Sequence, residues 1–384
     1  MRVLLAHNRY QLAGGEDAVM AEEQRLLQEN GVEVALYEQD NRSIETMSRL
    51  QVAMDTIWSR RTVEAVSEQI KHFRPDVIHA HNTFPLISPS LYFAAARHGV
   101  PVVQTLHNFR LFCAQAMFLR NGAVCEDCIG KLPWRGVMHR CYRNSGAQSA
   151  VVVGMQGVHR MMGTYRNKVT RYIALNRFCR DKFIEAGLPA ERIVIKPNFI
   201  DLPAPEQRER QGGLFVGRLA TEKGIDTLAQ AARLYPEAKV GVIGDGPEAK
   251  TLQNLPGLNP LGWMAPHDIY ARMAGASYLV MPSVWYENFP RTLVEAYACG
   301  LPVIASRLGA MAELVQEGRT GLLFTPGDAA DLAEKLRWAD SHPAIMRDMG
   351  EAARREYESH YTSQTNFRQL MQIYQEAQDY VCAA

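Results

Sequence analysis

The chain has 384 residues, and its 42 Lys and Arg side chains nearly balance its 41 Asp and Glu side chains. A hydrophobic share of 47% excludes an intrinsically disordered chain, and the small net charge argues against a dedicated nucleic-acid-binding protein. No stretch reaches the ~18 apolar residues of a membrane-spanning helix, and the N-terminus MRVLLAHNRY does not read as a secretory signal. The composition therefore predicts a soluble, cytoplasmic protein of two domains.

The first half alternates short apolar runs with amphipathic stretches. Strands are predicted at 3–6, 32–36, 76–81, 101–106, 172–175 and 193–195, with helices at 16–29 and 63–73. Strands separated by helix-length segments predict βαβ units and a parallel sheet, which is an α/β fold class.

The second half repeats this plan. Strands are predicted at 214–217, 239–243, 278–282, 303–305 and 321–324, and helices at 225–234, 247–254, 267–274, 290–298, 311–317 and 329–339. The segment 201–213, rich in Pro, Gly and charge, is a candidate linker, and 363–380 is a helix that we expect to cross back onto the first half. Two doubly wound domains would then face each other across a cleft, with ligands beyond the carboxyl ends of the strands.

The loop GRLATEKG follows a predicted strand of the second half and precedes a helix. It places two cations, Arg218 and Lys223, where a diphosphate could be bound, although a solvated basic loop would have the same composition. The next strand ends in the turn VIGDGPEAK, whose Gly244 would let the backbone pass near a ligand. We expect Pro247 to begin a helix there.

The segment SVWYENFPRTLVEAYACG carries two carboxylates, Glu287 and Glu295, around a predicted helix start at Pro290. The free amides of such a helix end form an anion site, and carboxylates suit the hydroxyls of a sugar or a ribose. The amides expected to cluster there belong to Asn288, Phe289, Arg291 and Thr292.

Taken together, these motifs resemble the retaining glycosyltransferases of the GT-B fold, family four. GRLATEKG, VIGDGPE, PLGW and the E-x7-E motif ENFPRTLVEA stand in the family's order, and KPNFID resembles an element that has glycine where this chain has Phe199. The resemblance implies two Rossmann-like doubly wound parallel-sheet domains. These would be an acceptor-binding domain at 1–205 with a Cys-rich insertion at about 109–145, a nucleotide-sugar domain at 206–360, and a helix at 361–384 that packs back on the first domain.

The resemblance also implies roles for single residues. Arg218 and Lys223 would hold the donor diphosphate, Glu287 would bind the transferred sugar, and Glu295 would bind the ribose. The other donor-binding residues that we expect are Gly14, Gly15, Gly244, Asn288, Phe289, Pro290, Arg291 and Thr292. No cofactor is implied for catalysis, because the cations and the helix end supply the positive charge.

Histidines follow two predicted strands of the first half. The family places an important histidine at the position of His107, so His107 is expected to contact the transferred sugar as a catalytic residue. His81 and Asn82 also fall at a strand end and are expected on the acceptor side, whereas His79 within the strand is expected to be buried structure.

Four cysteines fall within one short stretch. Cys125 and Cys128 form a C-x2-C pair flanked by Cys113 and Cys141, a pattern that fits a structural zinc site, with His139 as an alternative ligand. Unligated or surface thiols are the open alternative.

The stretch 128–180 contains ten Lys and Arg side chains and no acidic ones, interleaved with Trp, Tyr and Met. A basic segment with an apolar face suits an anionic membrane surface, while a core helix beside a solvated basic loop is the alternative.

These features predict a hexosyltransferase that moves a sugar from a UDP- or GDP-sugar to a lipid-linked or polysaccharide acceptor. It would act in cell-surface glycan or lipopolysaccharide synthesis, peripherally at the inner face of the plasma membrane. Two other hypotheses use the same scaffold: a non-catalytic nucleotide-sugar-binding protein and a sugar-nucleotide epimerase.

Overall fold

The computed structural model describes residues 1–11, 14–203 and 209–382. These residues form two compact units. The first comprises Met1–Phe118, Glu126–Pro197 and the chain from Asn366 onward, and the second comprises Leu119–Cys125 and Asn198–Thr365. Part of the predicted linker and of the loop before the first helix lies outside the described residues.

Both units are built on parallel β-sheets. Within the described ranges the strands are β1 (Arg2–Arg9), β2 (Glu33–Asp40), β3 (Val77–Asn82), β4 (Val102–Thr105), β5 (Leu119–Arg120), β6 (Ala123–Val124), β7 (Arg171–Ala174), β8 (Ile193–Ile195), β9 (Gly213–Val216), β10 (Val240–Ile243), β11 (Leu258–Gly262), β12 (Tyr278–Met281), β13 (Val303–Ser306) and β14 (Gly321–Phe324).

Helices connect and cover these strands. In the same described ranges the α-helices are α1 (Gly15–Glu29), α2 (Arg49–Ile57), α3 (Arg60–Phe73), α4 (Ser90–Arg97), α5 (Arg135–Met138), α6 (Gly146–Met161), α7 (Thr164–Asn167), α8 (Arg177–Glu185), α9 (Ile225–Leu234), α10 (Pro266–Gly275), α11 (Arg291–Ala298), α12 (Gly309–Leu314), α13 (Ala329–Ser341), α14 (Pro343–His360) and α15 (Ser363–Cys382). Short 3₁₀ turns lie at Asn41–Thr46, Ala190–Arg192, Thr221–Lys223 and Ala249–Leu252. None of the helices described is long and apolar enough to cross a bilayer.

The sheet of the first unit has the strand order β2-β1-β3-β4-β7-β8, and all its pairs are parallel. The interior strand β1 is apolar and buried over four consecutive residues, as expected for a parallel strand that is covered on both faces. Helix α15 supplies part of the cover, because Leu370 and Tyr374 lie in the same core cluster as Val3 and Val103. The predicted α/β architecture of this half is confirmed.

The second unit has the order β11-β10-β9-β12-β13-β14, again with parallel pairs. Successive residues of β12 point into different cores: Leu279 packs in one cluster and Val280 in another. The strand order reverses between β9 and β12, and such switch points are where α/β sheets bind ligands.

Three expectations about the second half need correction. The helix predicted at 247–254 is a 3₁₀ turn over Ala249–Leu252, and Pro247 lies in the turn before it. The helix predicted at 311–317 ends earlier, at Leu314. Strand β11 was not predicted, because it is an edge strand whose Asn259 and Pro260 are exposed and interrupt any apolar run.

Candidate functional site

The switch point of the second unit is formed by the loops that follow β9 and β12. Gly224 lies where these loops meet, with φ +71, and a Cβ atom added to it would stand 1.8 Å from the carbonyl oxygen of Pro282. Only glycine permits this approach and this backbone conformation. The close approach places Lys223 beside Glu287, whose Oε1 lies 2.6 Å from the Lys223 ammonium.

Glu287 is the most constrained acidic group of this site. Its side chain is buried, and Oε1 accepts hydrogen bonds from Ser283 Oγ at 2.8 Å and from the Trp285 indole at 3.1 Å, in addition to Lys223. Among the described residues, none donates a hydrogen bond to the second oxygen, Oε2. The carboxylate is therefore held in place while one oxygen is left for a ligand hydroxyl.

The two cations of the GRLATEKG loop differ in their surroundings. Lys223 is partly exposed, lies 5.5 Å from the centre of the Trp285 ring and pairs with Glu287. Arg218 is exposed and forms no ion pair with any residue in the described ranges. The loop thus holds one neutralised cation and one that is available to an anion.

Helix α11 begins next to this pair, as the sequence predicts, with Pro290 as its N-terminal flanking residue. Arg291 Nε donates to Glu295 Oε1 at 3.1 Å, and the Tyr270 hydroxyl lies 3.5 Å from the same oxygen. Phe289 packs its side chain against the core, so this residue can offer a ligand only its backbone. Asn288 is buried and Thr292 is half-buried beside it.

Gly244 brings a third loop against the first. A Cβ atom there would lie 1.9 Å from the carbonyl oxygen of Gly217, and the Gly244 amide donates to Gly262 at 2.9 Å. The Gly244 amide is therefore already engaged in a hydrogen bond within the protein. The role of Gly244 is to let the loops after β9 and β10 pack closely together.

The first unit has its own switch point, between β1 and β3, and polar side chains gather there. His81 at the end of β3 and His107 after β4 are in contact, with Nδ1 of His81 3.0 Å from Nε2 of His107. The Asn82 side chain forms two hydrogen bonds to backbone groups: it donates to the Asn8 carbonyl and accepts from the Phe84 amide. His107 is partly exposed, and the packing around its ring, followed by the neighbouring His81, lowers its pKa well below the usual range.

Beneath His81 lies a buried charged group that the sequence analysis did not find. Glu23 of α1 has Oε1 3.0 Å from His79 Nδ1 and 3.2 Å from His81 Nε2, and its Oε2 lies 3.2 Å from the Lys196 ammonium. Burial raises the pKa of Glu23, but Lys196 and then the two histidines lower it more, so that it falls well below its usual range. Burial, reinforced by His79, lowers the pKa of His81 to about 4.

Glycines 14 and 15 lie at the start of α1, as predicted, next to residues 12–13, which are outside the described residues. Gly14 flanks the helix, and its amide donates to Asp17 Oδ2 at 2.8 Å. The other Asp17 oxygen lies 2.8 Å from His7 Nε2. This loop is therefore tied to the end of β1 by a carboxylate.

Among the described residues, the side chains that come together as a possible metal site are not the predicted cysteines. In the described part of the chain, the group of three or more metal-binding side chains that comes together within 4.8 Å is Glu23, His79 and His81. Cys113, Cys128 and Cys141 of the first unit are half-buried and form no such group. Zinc binding by the predicted cysteines remains a prediction.

Some functional contacts had a weak signal in the sequence and others had none. Ser283 and Trp285 stand in the quoted segment directly after a predicted strand, where side chains meet a switch point, so their contact with Glu287 was accessible to sequence reasoning. Glu23 lies in the middle of an amphipathic helix and Lys196 lies 173 positions away, so nothing in the sequence pairs them.

Two family models match the chain, and together they cover most of it. The model described as Glycosyltransferase Family 4 matches residues 13–203, and the model described as Glycosyl transferases group 1 matches residues 205–356.

Curated relatives are similar at moderate identity. A sulfoquinovosyl transferase of Arabidopsis thaliana is 35% identical over 153 residues, which is 38% of this chain and 30% of that enzyme. A glycogen synthase of Mycobacterium tuberculosis is 28% identical over 323 residues, or 79% of this chain and 69% of that enzyme. The chain thus spans less than a third of the first of these relatives.

Solved structures share the fold over nearly the whole chain. Sucrose-phosphate synthase of Thermosynechococcus elongatus superposes with a TM-score of 0.70 at 18% identity, covering 98% of both chains. HepE of Anabaena, solved in complex with UDP, gives a TM-score of 0.65 at 18% identity and covers 97% of this chain and 99% of that chain. With the two family models matched along the sequence and the fold shared along the structure, the chain belongs to the GT-B glycosyltransferases of family 4.

Proposed function

We propose that this protein is a retaining glycosyltransferase that moves a sugar from a UDP- or GDP-sugar to a lipid-linked or polysaccharide acceptor. The observation that carries the proposal is the Lys223–Glu287 pair at the switch point of the second sheet, beside the start of α11. A cation, a buried carboxylate and the N-terminal end of a helix within one site match a molecule that has both phosphates and hydroxyls.

Each part of the site suits one part of such a donor. The ammonium of Lys223 and the exposed guanidinium of Arg218 would bind diphosphate oxygens, as a point charge and as a planar fork. Glu287 would accept hydrogen bonds from sugar hydroxyls, and Glu295 from the ribose. The diphosphate would take the place of Glu287 beside Lys223, which frees the carboxylate for the sugar.

Fixed positive charge then assists departure of the nucleoside diphosphate. Charge grows on the leaving oxygen in the transition state, and Lys223 and Arg218 stabilise it there. The departing phosphate is the base that takes the acceptor's proton on the same face of the sugar, which retains the anomeric configuration. Since two cations and the helix amides supply the charge, we propose that transfer needs no metal ion. Activity that survives chelation by EDTA is the expected result.

Relatives support the donor class. HepE of Anabaena was solved with UDP-glucose, and a similar enzyme of Corynebacterium glutamicum is a GDP-mannose-dependent α-mannosyltransferase. Uridine and guanosine donors are therefore the ones to compare first.

Thermal unfolding with UDP, GDP, UDP-glucose and GDP-mannose tests the donor. A ligand at 100 times its Kd stabilises the folded protein by about 2.7 kcal/mol, a readily measured shift. The absence of a shift with every nucleotide would refute the proposal. NMR of the product with and without acceptor then gives the anomeric configuration, and a changed sugar formed from donor alone would identify an epimerase.

We further propose that the first unit binds an anionic membrane surface through a patch that we call the basic apolar surface. Its exposed apolar side chains are Leu132, Trp134, Met138, Met161 and Met162, and its exposed basic ones are Lys131, Arg140, Arg160 and Arg166. Arg160 donates to the carbonyls of Gly130 and Lys131, which joins the end of α6 to the segment before α5.

The middle of α6 is not part of this surface. Val152 and Met155 pack in a core cluster, so the core-helix alternative applies to this part of the helix. Exposed apolar side chains together with cations suit acyl chains below anionic headgroups, and this supports a peripheral position at the inner face of the plasma membrane.

Flotation with vesicles tests this surface. We expect recovery with phosphatidylcholine–phosphatidylglycerol vesicles to exceed recovery with phosphatidylcholine alone, and the double variant Trp134→Ser/Met161→Ser to lose the difference. Leu234→Ser removes an equally exposed apolar side chain of the second unit and is the control. Equal recovery with both vesicles would refute membrane binding.

A further inference from the structure

A chain of buried polar groups leads from Lys196 to His107 in the first unit. The Lys196 ammonium lies 3.2 Å from Glu23 and 3.0 Å from the Asn366 side-chain oxygen. Glu23 lies 3.2 Å from His81, which lies 3.0 Å from His107. Glu23, His81 and Lys196 are at most 3% exposed, so water does not compete for these contacts.

Burial decides which charges this chain can carry. A buried ammonium needs a carboxylate beside it, and Glu23 provides one, so the pair is charged and neutral as a whole. His81 titrates at a pKa of about 4 and is neutral at physiological pH. The chain therefore consists of one ion pair and uncharged imidazoles.

The positions of the protons follow from these charges. An ionised carboxylate only accepts, and a ring nitrogen that faced it with a lone pair would be repelled at 3.2 Å. His81 therefore carries its proton on Nε2, even though Nε2 and Glu23 Oε1 are not aligned as a regular hydrogen bond. Nδ1 of neutral His81 is then an acceptor, and the proton in its 3.0 Å contact belongs to Nε2 of His107.

Glu23, His79 and His81 also have the atoms of a metal site, and the charge balance argues against that occupant. The group contains one carboxylate, and Lys196 already uses it. Adding a divalent cation would leave two uncompensated positive charges among buried side chains, which is costly.

We propose that Glu23, held in its ionised state by Lys196, is a positioning residue that acts through His81 to fix the tautomer of His107. Neutral His107 then presents Nδ1 as its lone-pair nitrogen. The inference rests on the proposed glycosyl transfer and on the predicted role of His107 in it. Neither Glu23 nor Lys196 has been assigned any part in that reaction by the family resemblance.

The variant Glu23→Gln tests which ring nitrogens of His81 and His107 carry the protons. Its amide oxygen faces Lys196, because two donors would repel, and its NH2 group then faces His81 Nε2. His81 has to move its proton to Nδ1, and His107 has to move its own from Nε2 to Nδ1. Long-range ¹⁵N–¹H NMR of ¹⁵N-histidine-labelled protein reads both tautomers, with the His107 signals assigned from His107→Gln.

We expect Nε2–H on His107 in the wild type and Nδ1–H in Glu23→Gln. The kcat for transfer should fall about 10- to 100-fold, the range found for groups that orient metal-bound imidazoles, with the donor KM within about twofold. Glu29→Gln removes an exposed carboxylate of the same helix and should change neither measurement. Nδ1–H on His107 in the wild type would overturn the proposal.

A second variant separates positioning from stability, because Glu23→Gln leaves Lys196 without a counter-charge. Glu23→Leu/Lys196→Met replaces the pair by apolar groups, which restores folding in other proteins with buried ion pairs. We expect a thermal midpoint near that of the wild type, His107 as a mixture of tautomers, and a lowered kcat. Wild-type kcat and tautomer in this variant would show that the pair serves stability alone.

Two further outcomes are informative. Near-stoichiometric zinc in purified wild type that is absent from Glu23→Gln would assign the group to a metal and overturn the proposal. A wild type that transfers no sugar would refute the proposed function, while the tautomers measured in the resting protein would still decide on Glu23.

Discussion

The two units carry polar groups at the switch points of their sheets, and the two sets differ in how they meet solvent. In the second unit, Lys223 is 26% exposed, Arg218 is exposed, and the carboxylate of Glu287 pairs with a cation that an anion can reach. In the first unit, Glu23 pairs with Lys196 where neither is more than 2% exposed. An accessible ion pair can exchange its partner for a ligand, whereas a sealed one cannot.

The two Lys–Glu ion pairs therefore have different expected roles. We propose that the pair in the second unit is a binding site, in which an anionic ligand displaces the carboxylate from Lys223. The pair in the first unit keeps its charges fixed and orients the imidazoles above it. The following predictions test this difference, in order of decreasing effect.

Lys223→Ala should have the largest effect. It removes the cation that stabilises the leaving diphosphate, and we expect kcat to fall by about 10²–10³. Release of nucleoside diphosphate measures the rate. Lys239→Ala, an exposed lysine at the opposite end of the same sheet, is the control and should retain full activity. A near-normal rate in Lys223→Ala would remove the functional distinction between the two pairs.

Gly224→Ala should disturb the loops that hold the accessible pair. The new Cβ would meet the Pro282 carbonyl at 1.8 Å, and the residue has φ +71. We expect the free energy of unfolding to fall by about 2–4 kcal/mol. Gly318→Ala has a similar φ of +73 with nothing within 4 Å, so it should lose only about 1 kcal/mol. Urea unfolding followed by circular dichroism compares the two, and equal losses would mean that the close approach is unimportant.

Buried His81 should make the stability of the first unit sensitive to acid. Unfolded His81 takes up a proton as the pH falls below about 6.5, whereas folded His81 does so only near 4, so acidification favours unfolding in this window. The loss reaches up to about 3 kcal/mol at pH 4. We expect His81→Gln to flatten the dependence of Tm on pH between 7 and 4.5, and His267→Gln, on a 95% exposed side chain, to leave it unchanged. An unaltered slope in His81→Gln would contradict a neutral, buried imidazole.

Glu287→Gln should have the smallest effect of these variants, and it should strengthen the binding of UDP. Without the carboxylate, UDP no longer competes for Lys223, and its Kd should fall about fivefold while sugar transfer also falls. Isothermal titration with UDP measures this. Glu317→Gln breaks an exposed ion pair of the same 2.6 Å length and should leave the Kd unchanged. Weaker UDP binding in Glu287→Gln would show that the pair is not an exchangeable one.

The elements that could be predicted from the sequence are those determined by patterns of neighbouring residues. Buried strands such as β12 and β14 are continuous apolar runs. Lys223 and Glu287 follow strands that flank a switch point, so their meeting could be expected from topology. Strand β11 was not predicted, because this exposed edge strand has no apolar run. Helix α14 escaped although Met346, Met349, Ala353 and Tyr357 have helical spacing and are buried.

Contacts that depend on distant segments were beyond such reasoning. Glu23 meets Lys196 because a helix and a strand end converge on β3, and no periodicity marks that convergence. The charge of Glu23 would have argued for a solvated helix face, and only the three-dimensional neighbours show why it is buried.

Helix α15 affects the order in which the first unit can assemble during synthesis. Its Tyr374 hydroxyl bonds His79 at 2.7 Å, and Asn366 bonds both Lys196 and the Pro197 carbonyl. A ribosome that has finished Pro197 has thus produced a sheet whose final layer is still about 170 codons away. The nascent first unit must wait, with one apolar face uncovered, until α15 has been synthesised.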